Sequence, residues 1–101
     1  MKIPVCQSTD LLPGKSVSLT VGDIRVAVFR LATGTVHAVE DRCPHRGARL
    51  SEGLLYDEFI ACLDHGWSVC VLDGRVCAPE RGQVKVFPVS EEDGGISLEV
   101  D

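Results

Sequence analysis

Two short stretches carry the side chains best able to do chemistry: Cys43-Pro44-His45-Arg46-Gly47 and Cys62-Leu63-Asp64-His65-Gly66-Trp67. Each sets one thiol and one imidazole within a single turn and follows them with a glycine. Thiolate and imidazole hold iron or zinc, and Cys-x-His and Cys-x-x-His spacings let each pair close on a metal from one short loop. Two sulfurs and two nitrogens also describe a structural zinc centre, so the ligand count alone leaves the metal open. In a zinc finger the cysteines come as one close pair and the histidines as another, the latter on a helix. Here each loop contributes one of each. That arrangement suits an asymmetric [2Fe–2S] cluster, with both cysteines on one iron and both histidines on the other.

The rest of the chain must position these loops. Its 101 residues form one expected domain, 1–101, too small to bury a substrate cleft and its own catalytic apparatus. A cofactor must carry the chemistry. No paired carboxylates, nucleophile-base arrangement or phosphate-binding glycine loop appears elsewhere. The net charge of -5 argues against a nucleic-acid partner. No apolar run approaches the roughly 20 residues of a spanning helix, and the N-terminus lacks a basic head followed by an apolar core, so neither membrane nor export is expected and the cytoplasm is.

Five cysteines is an odd number, which excludes a fully paired disulfide framework in the monomer. Cys70 and Cys77 flank Leu72-Asp73-Gly74-Arg75, and a two-residue Asp73-Gly74 turn predicts them directly opposite one another, as packed thiols rather than a disulfide. Cys6 reads as a core residue.

Period-two alternation predicts strands over Lys2 to Cys6, Ser16 to Val21, Ile24 to Leu31 and Thr35 to Val39. Ser8 to Leu12 reads as a capped helical turn. A tight Thr33-Gly34 turn predicts Arg30 opposite His37, with His37 facing solvent. Glu58 to Cys62 reads as a short strand delivering the second loop, Ser68 to Leu72 and Arg75 to Ala78 as a hairpin, and Val84 to Val89 and Gly95 to Val100 as closing strands. Many short strands punctuated by glycine turns predict an all-β sandwich or barrel.

The two loops resemble the signature of the Rieske iron–sulfur proteins. The resemblance implies that Cys43 and Cys62 hold an inner iron and His45 and His65 an outer, more exposed one. It also implies three short antiparallel sheets with a cluster-binding subdomain inserted over about 41–67. Rieske potentials lie at about -150 to +300 mV. High-potential members bridge their loops with an extra cysteine pair and place a serine after the second-loop glycine. The corresponding positions here are Ala48, Asp64 and Trp67, so the low end is expected, with Ser68 a possible replacement donor. Gly47 and Gly66 suit turns that bring backbone N–H groups toward sulfide. Trp67 is expected to shield or pack, and Pro79 lies in a loop that in this family covers the cluster.

Arg42, Arg46 and Arg49 gather on the first loop of an acidic chain. They would steer an acidic partner surface toward the centre, or form a solvated basic loop. The runs Cys-Pro-His-Arg-Gly-Ala-Arg-Leu-Ser-Glu-Gly and Ala-Pro-Glu-Arg-Gly-Gln-Val-Lys-Val-Phe-Pro-Val are most similar to the small subunit of assimilatory NAD(P)H-dependent nitrite reductases. There the implied partner is a large subunit holding flavin, a further iron–sulfur cluster and sirohaem. The other implied setting is a free ferredoxin between a flavin reductase and a ring-hydroxylating dioxygenase. A third reading, of a different class, is a zinc-stabilised binding module.

Overall fold

The computed structural model describes residues 1–44, 47–63, 66–77 and 81–100. The described residues form ten strands: β1 (Lys2–Gln7), β2 (Ser16–Val21), β3 (Ile24–Arg30), β4 (Val36–Glu40), β5 (Leu54–Tyr56), β6 (Phe59–Ala61), β7 (Ser68–Cys70), β8 (Val86–Phe87), β9 (Val89–Glu92) and β10 (Gly95–Glu99). They build three antiparallel sheets, ordered β1-β10-β9, β2-β3-β4-β8 and β5-β6-β7. The fold is all-β, as expected, and the third sheet carries the second metal loop between β6 and β7.

The four-stranded sheet is the spine because its β3 and β4 are apolar on both faces. Val26, Val28 and Ala38 point to a core shared with Ile96 and Leu98 of the first sheet. Ala27, Phe29 and Val39 point the other way, to a core shared with Ile60 and Val69 of the third. Full burial of a side chain the size of Phe29 stabilises by about 1.5–3 kcal/mol. Strand β2 shows the predicted alternation. Val17, Leu19 and Val21 pack on the first core, while Ser16 and Ser18 face the metal-loop side and hydrogen-bond there, Ser16 Oγ donating to the Ser51 carbonyl at 2.9 Å.

The register of the β3–β4 hairpin differs from the predicted one by a residue: Arg30 pairs with Val36, and Phe29 with His37. The loop holds three residues, Ala32-Thr33-Gly34, because Leu31 donates to Thr35 and accepts from Gly34, both at 2.9 Å, with Gly34 at φ 99. A glycine able to take positive φ closes this longer turn as readily as a two-residue one. His37 is accordingly half-buried rather than solvent-facing, with Nε2 3.0 Å from Thr35 Oγ1.

A second register difference concerns the cysteines. Val69 bridges Val76, Cys70 N–H donates to the Arg75 carbonyl and Cys77 N–H to the Ser68 carbonyl. Cys70 and Cys77 are therefore diagonal neighbours rather than directly opposite. Gly74 N–H folds back onto the Cys70 carbonyl at 2.8 Å, which makes Val71 to Gly74 a four-residue turn.

The expected strand from Val84 to Val89 divides at Pro88, which has no N–H to donate. β8 pairs with β4 in the central sheet and β9 with β10 in the first. β5 had no sequence signal of its own, since Leu54-Leu55-Tyr56 is three residues long and apolar throughout. Arg30 ties these pieces together. Its guanidinium donates to the carbonyls of Leu11, Gly34 and Ser8 and to both carboxylate oxygens of Glu91. This bonding holds Arg30 above its ordinary pKa and Glu91 below its own.

Candidate metal centre

The two loops are built on the same backbone frame. In the first, Cys43 N–H donates to the Ala48 carbonyl at 2.7 Å and Gly47 N–H returns to the Cys43 carbonyl at 2.8 Å. In the second, Cys62 N–H donates to the Trp67 carbonyl at 2.7 Å and Gly66 N–H returns to the Cys62 carbonyl at 2.9 Å. Each cysteine thus accepts from the glycine four residues on and donates to the carbonyl five residues on. Gly47 and Gly66 close the turns at φ 75 and 71, a conformation that L side chains adopt only with strain. The sequences set the histidine one position later in the second frame than in the first. His45, Arg46, Asp64 and His65 lie outside the described residues, as do Pro79 and its neighbours Ala78 and Glu80.

Cys43 and Cys62 are both buried, and they belong to one contiguous apolar cluster with Leu50, Ile60, Val69 and Val84. Trp67 and Ala48 pack against the same cluster while remaining half-exposed. Both thiols therefore line one buried cluster, reached from two different loops. Two buried cysteines on matched glycine-closed loops fit an iron–sulfur cluster, which would take sulfur ligands shielded from water.

The first loop is fastened at its base by a residue whose part the sequence did not announce. Asp41 is fully buried, and its carboxylate accepts three hydrogen bonds, each 2.7 Å: Ser51 N–H to Oδ1, and the hydroxyls of Ser18 and Ser51 to Oδ2. Asp41 N–H itself donates to the Arg25 carbonyl. A serine-bearing face on an otherwise apolar β2 is the one sequence signal that a buried acceptor lies opposite. Arg25 was also missed. Its Nη2 donates to the Gly47 carbonyl at 3.3 Å, adding a cation to the exposed Arg42 and Arg49 beside the loop. Arg42 lies alongside, since a Cβ on Gly47 would stand 3.6 Å from its Nε.

A third loop meets the first at Gly82, where an added Cβ would come within 3.1 Å of Pro44 Cβ. On the other flank, the outer face of the third sheet presents Leu54, Tyr56, Phe59, Ala61, Ser68 and Cys70, because cross-strand partners share a face. Leu54 is 66% exposed and Tyr56 46%, and Leu63 in the second loop is 66% exposed. Ser68 Oγ stands 2.7 Å from Tyr56 OH on this face.

Comparison with known proteins gives the same answer as the loops. Residues 1–88 match the family model of the Rieske [2Fe-2S] domain. The 3-phenylpropionate/cinnamic acid dioxygenase ferredoxin subunit of Escherichia coli (strain K12) is 30% identical over 101 residues, covering 98% of this chain and 93% of that protein. Protein TIC 55, chloroplastic, of Arabidopsis thaliana is 38% identical over 87 residues, 77% of this chain, which spans only 16% of that longer protein. A Mycobacterium tuberculosis structure assigned as an NADH-dependent nitrite reductase small subunit superposes with a TM-score of 0.90 at 28% identity, over 100% of this chain and 96% of that one. Among the described residues no helix is long and apolar enough to cross a membrane. A Rieske domain holds a [2Fe–2S] cluster and passes single electrons, and by its matched family, its fold and its paired loops this chain belongs to the Rieske [2Fe-2S] domain family.

Proposed function

We propose that the chain is the electron-carrying small subunit of a cytoplasmic NAD(P)H-dependent nitrite reductase, with Cys43 and Cys62 on the inner iron and His45 and His65 on the outer. Bound there, the cluster would supply one-electron transfer. The chain's own residues do the remaining work. Gly47 and Gly66 hold the two turns closed, so the loop backbone approaches the centre without side chains in the way. Trp67 and Leu50 help keep water from the buried thiols. Arg42, Arg46 and Arg49 supply positive charge on the first loop, joined by Arg25 at Gly47, and steer an acidic partner surface toward it. All four ligands come from protein, which leaves no open position for substrate and makes a redox partner obligatory.

The observation that carries the subunit reading is the apolar outer face of the third sheet beside the second loop. Leu54, Tyr56 and Leu63 standing in water next to a redox centre suit a lasting partner better than brief collisions. The large subunit holding flavin and sirohaem is that partner, and nitrite reduction to ammonium is the reaction served. A second reading, the free ferredoxin of a ring-hydroxylating dioxygenase, is favoured by 30% identity over nearly the full length of the E. coli ferredoxin subunit. Gel filtration of the iron-loaded chain with a sirohaem-containing large subunit separates the two. Co-elution as a stable complex with NAD(P)H-dependent nitrite consumption is expected. Independent elution, together with catalytic electron delivery to an oxygenase from a flavin reductase, would overturn the subunit reading in favour of the ferredoxin.

A further inference from the structure

We propose that Asp41 is a positioning residue of the iron–sulfur centre, one that clamps the first loop at its base and keeps a negative charge in the protein interior beside Cys43, lowering the reduction potential. The argument begins with burial. A carboxylate with no exposed surface is costly to desolvate unless its oxygens are satisfied. Here they are, by three donors at 2.7 Å. All three groups are able to donate, so the oxygens of the buried carboxylate are satisfied without a cation.

The placement of those donors explains the clamp. Ser51 follows the first loop and Asp41 precedes it, so the two bonds between them join its two ends. Ser18 lies on β2, so its bond pins that junction to the central sheet. Cys43 is two residues on, at most about 7 Å from Asp41 along the chain, and is itself buried. Among the described residues no ion pair reaches Asp41. The nearby cations Arg25 and Arg42 are directed elsewhere, Arg25 to the Gly47 carbonyl and Arg42 alongside Gly47. A reduced cluster carries one more negative charge than an oxidised one. A fixed negative charge in a medium of low dielectric therefore opposes the incoming electron.

This inference rests on the ligand role of Cys43 and not on the identity of the partner. The test is the midpoint potential of iron-loaded Asp41→Asn, Ser18→Ala and Ser51→Ala, by EPR-monitored titration, with iron and sulfide content measured on each. Asparagine keeps the shape and can bond the same three groups, because a serine hydroxyl accepts as well as donates. The expected result is that Asp41→Asn favours reduction about tenfold, as loss of one buried charge near a ligand would. The serine variants keep the charge but solvate it less, so they leave the potential unchanged or lower it. A merely structural role would shift all three variants in one direction. An unmoved or lowered potential in loaded Asp41→Asn overturns the proposal. If that variant does not load, a raised potential in either serine variant overturns it, and an unchanged or lowered one supports it. A wild-type protein that holds no iron–sulfur cluster would instead refute the ligand reading itself.

Discussion

The hydroxyls of Tyr56 and Ser68 stand 2.7 Å apart, joining β5 to β7 across β6 on the outer face of the third sheet. The sequence offers the Ser68 hydroxyl as a replacement for the missing donor of high-potential relatives, and in this structure it is engaged with Tyr56. Ser68→Ala and Tyr56→Phe are therefore each expected to move the midpoint potential by less than about 30 mV, a threefold change in equilibrium constant for one electron. A fall of about 60 mV or more in Ser68→Ala would mean that the hydroxyl serves the cluster instead.

The glycine turns predict a stability effect separable from crowding. At Gly66 an added Cβ would meet nothing within 4 Å, yet φ is 71. Gly66→Ala should cost about 1–2 kcal/mol through backbone strain alone. The check is a lowered unfolding midpoint and faster bleaching of the visible absorbance in mild denaturant. Wild-type behaviour would show that the turn tolerates a side chain and that the matched frames are incidental.

Arg42 and Arg49 are exposed beside the first loop. Changing both to serine should slow reduction by the electron donor about 3- to 10-fold at low ionic strength, and the gap should close as salt shortens the range of the field. Stopped-flow rates against ionic strength measure this. Parallel curves for wild type and variant would assign docking to the apolar face alone.

His37 gives a pH dependence with a definite sign. Desolvation holds its imidazole below the ordinary histidine pKa, so the native state binds fewer protons than the unfolded chain. Its contribution to stability is present above the unfolded pKa of about 6.5 and is lost as pH falls through the depressed native value. Compared with His37→Gln, the wild type should lose stability as pH falls from neutrality through and below about 6.5. Thermal unfolding of both proteins across that range checks it, and curves that stay parallel would contradict the burial argument.

The longer strands and the family were legible in the sequence because they depend on local pattern, whereas β5 was not and Arg75 to Val76 forms only isolated bridges. Val17, Leu19 and Val21 alternate on β2 as they must to cover a core, and the cysteine-histidine spacing is the signature shared with the matched family. Registers were less legible. A glycine such as Gly34 closes a three-residue turn as well as a two-residue one, and each choice slides the partner strand by a residue, which moved Phe29 rather than Arg30 opposite His37. The same ambiguity displaced Cys77 from Cys70. Asp41 was illegible for a different reason. Its role exists only once Ser18, 23 residues before it, and Ser51, ten after, arrive at one point. An aspartate in an acidic chain carries no mark of burial, and Arg25 likewise gains its role only when Gly47 folds against it.

The central claim is a [2Fe–2S] cluster held by two cysteines and two histidines. The most direct measurement is pulsed EPR of the dithionite-reduced protein, read for nitrogen hyperfine coupling and accompanied by iron and acid-labile sulfide analysis. The account predicts iron and sulfide in equal amounts and coupling from two imidazole nitrogens, lost in part when His45 or His65 is replaced. A colourless protein containing zinc, or a reduced cluster with no nitrogen coupling, would contradict it.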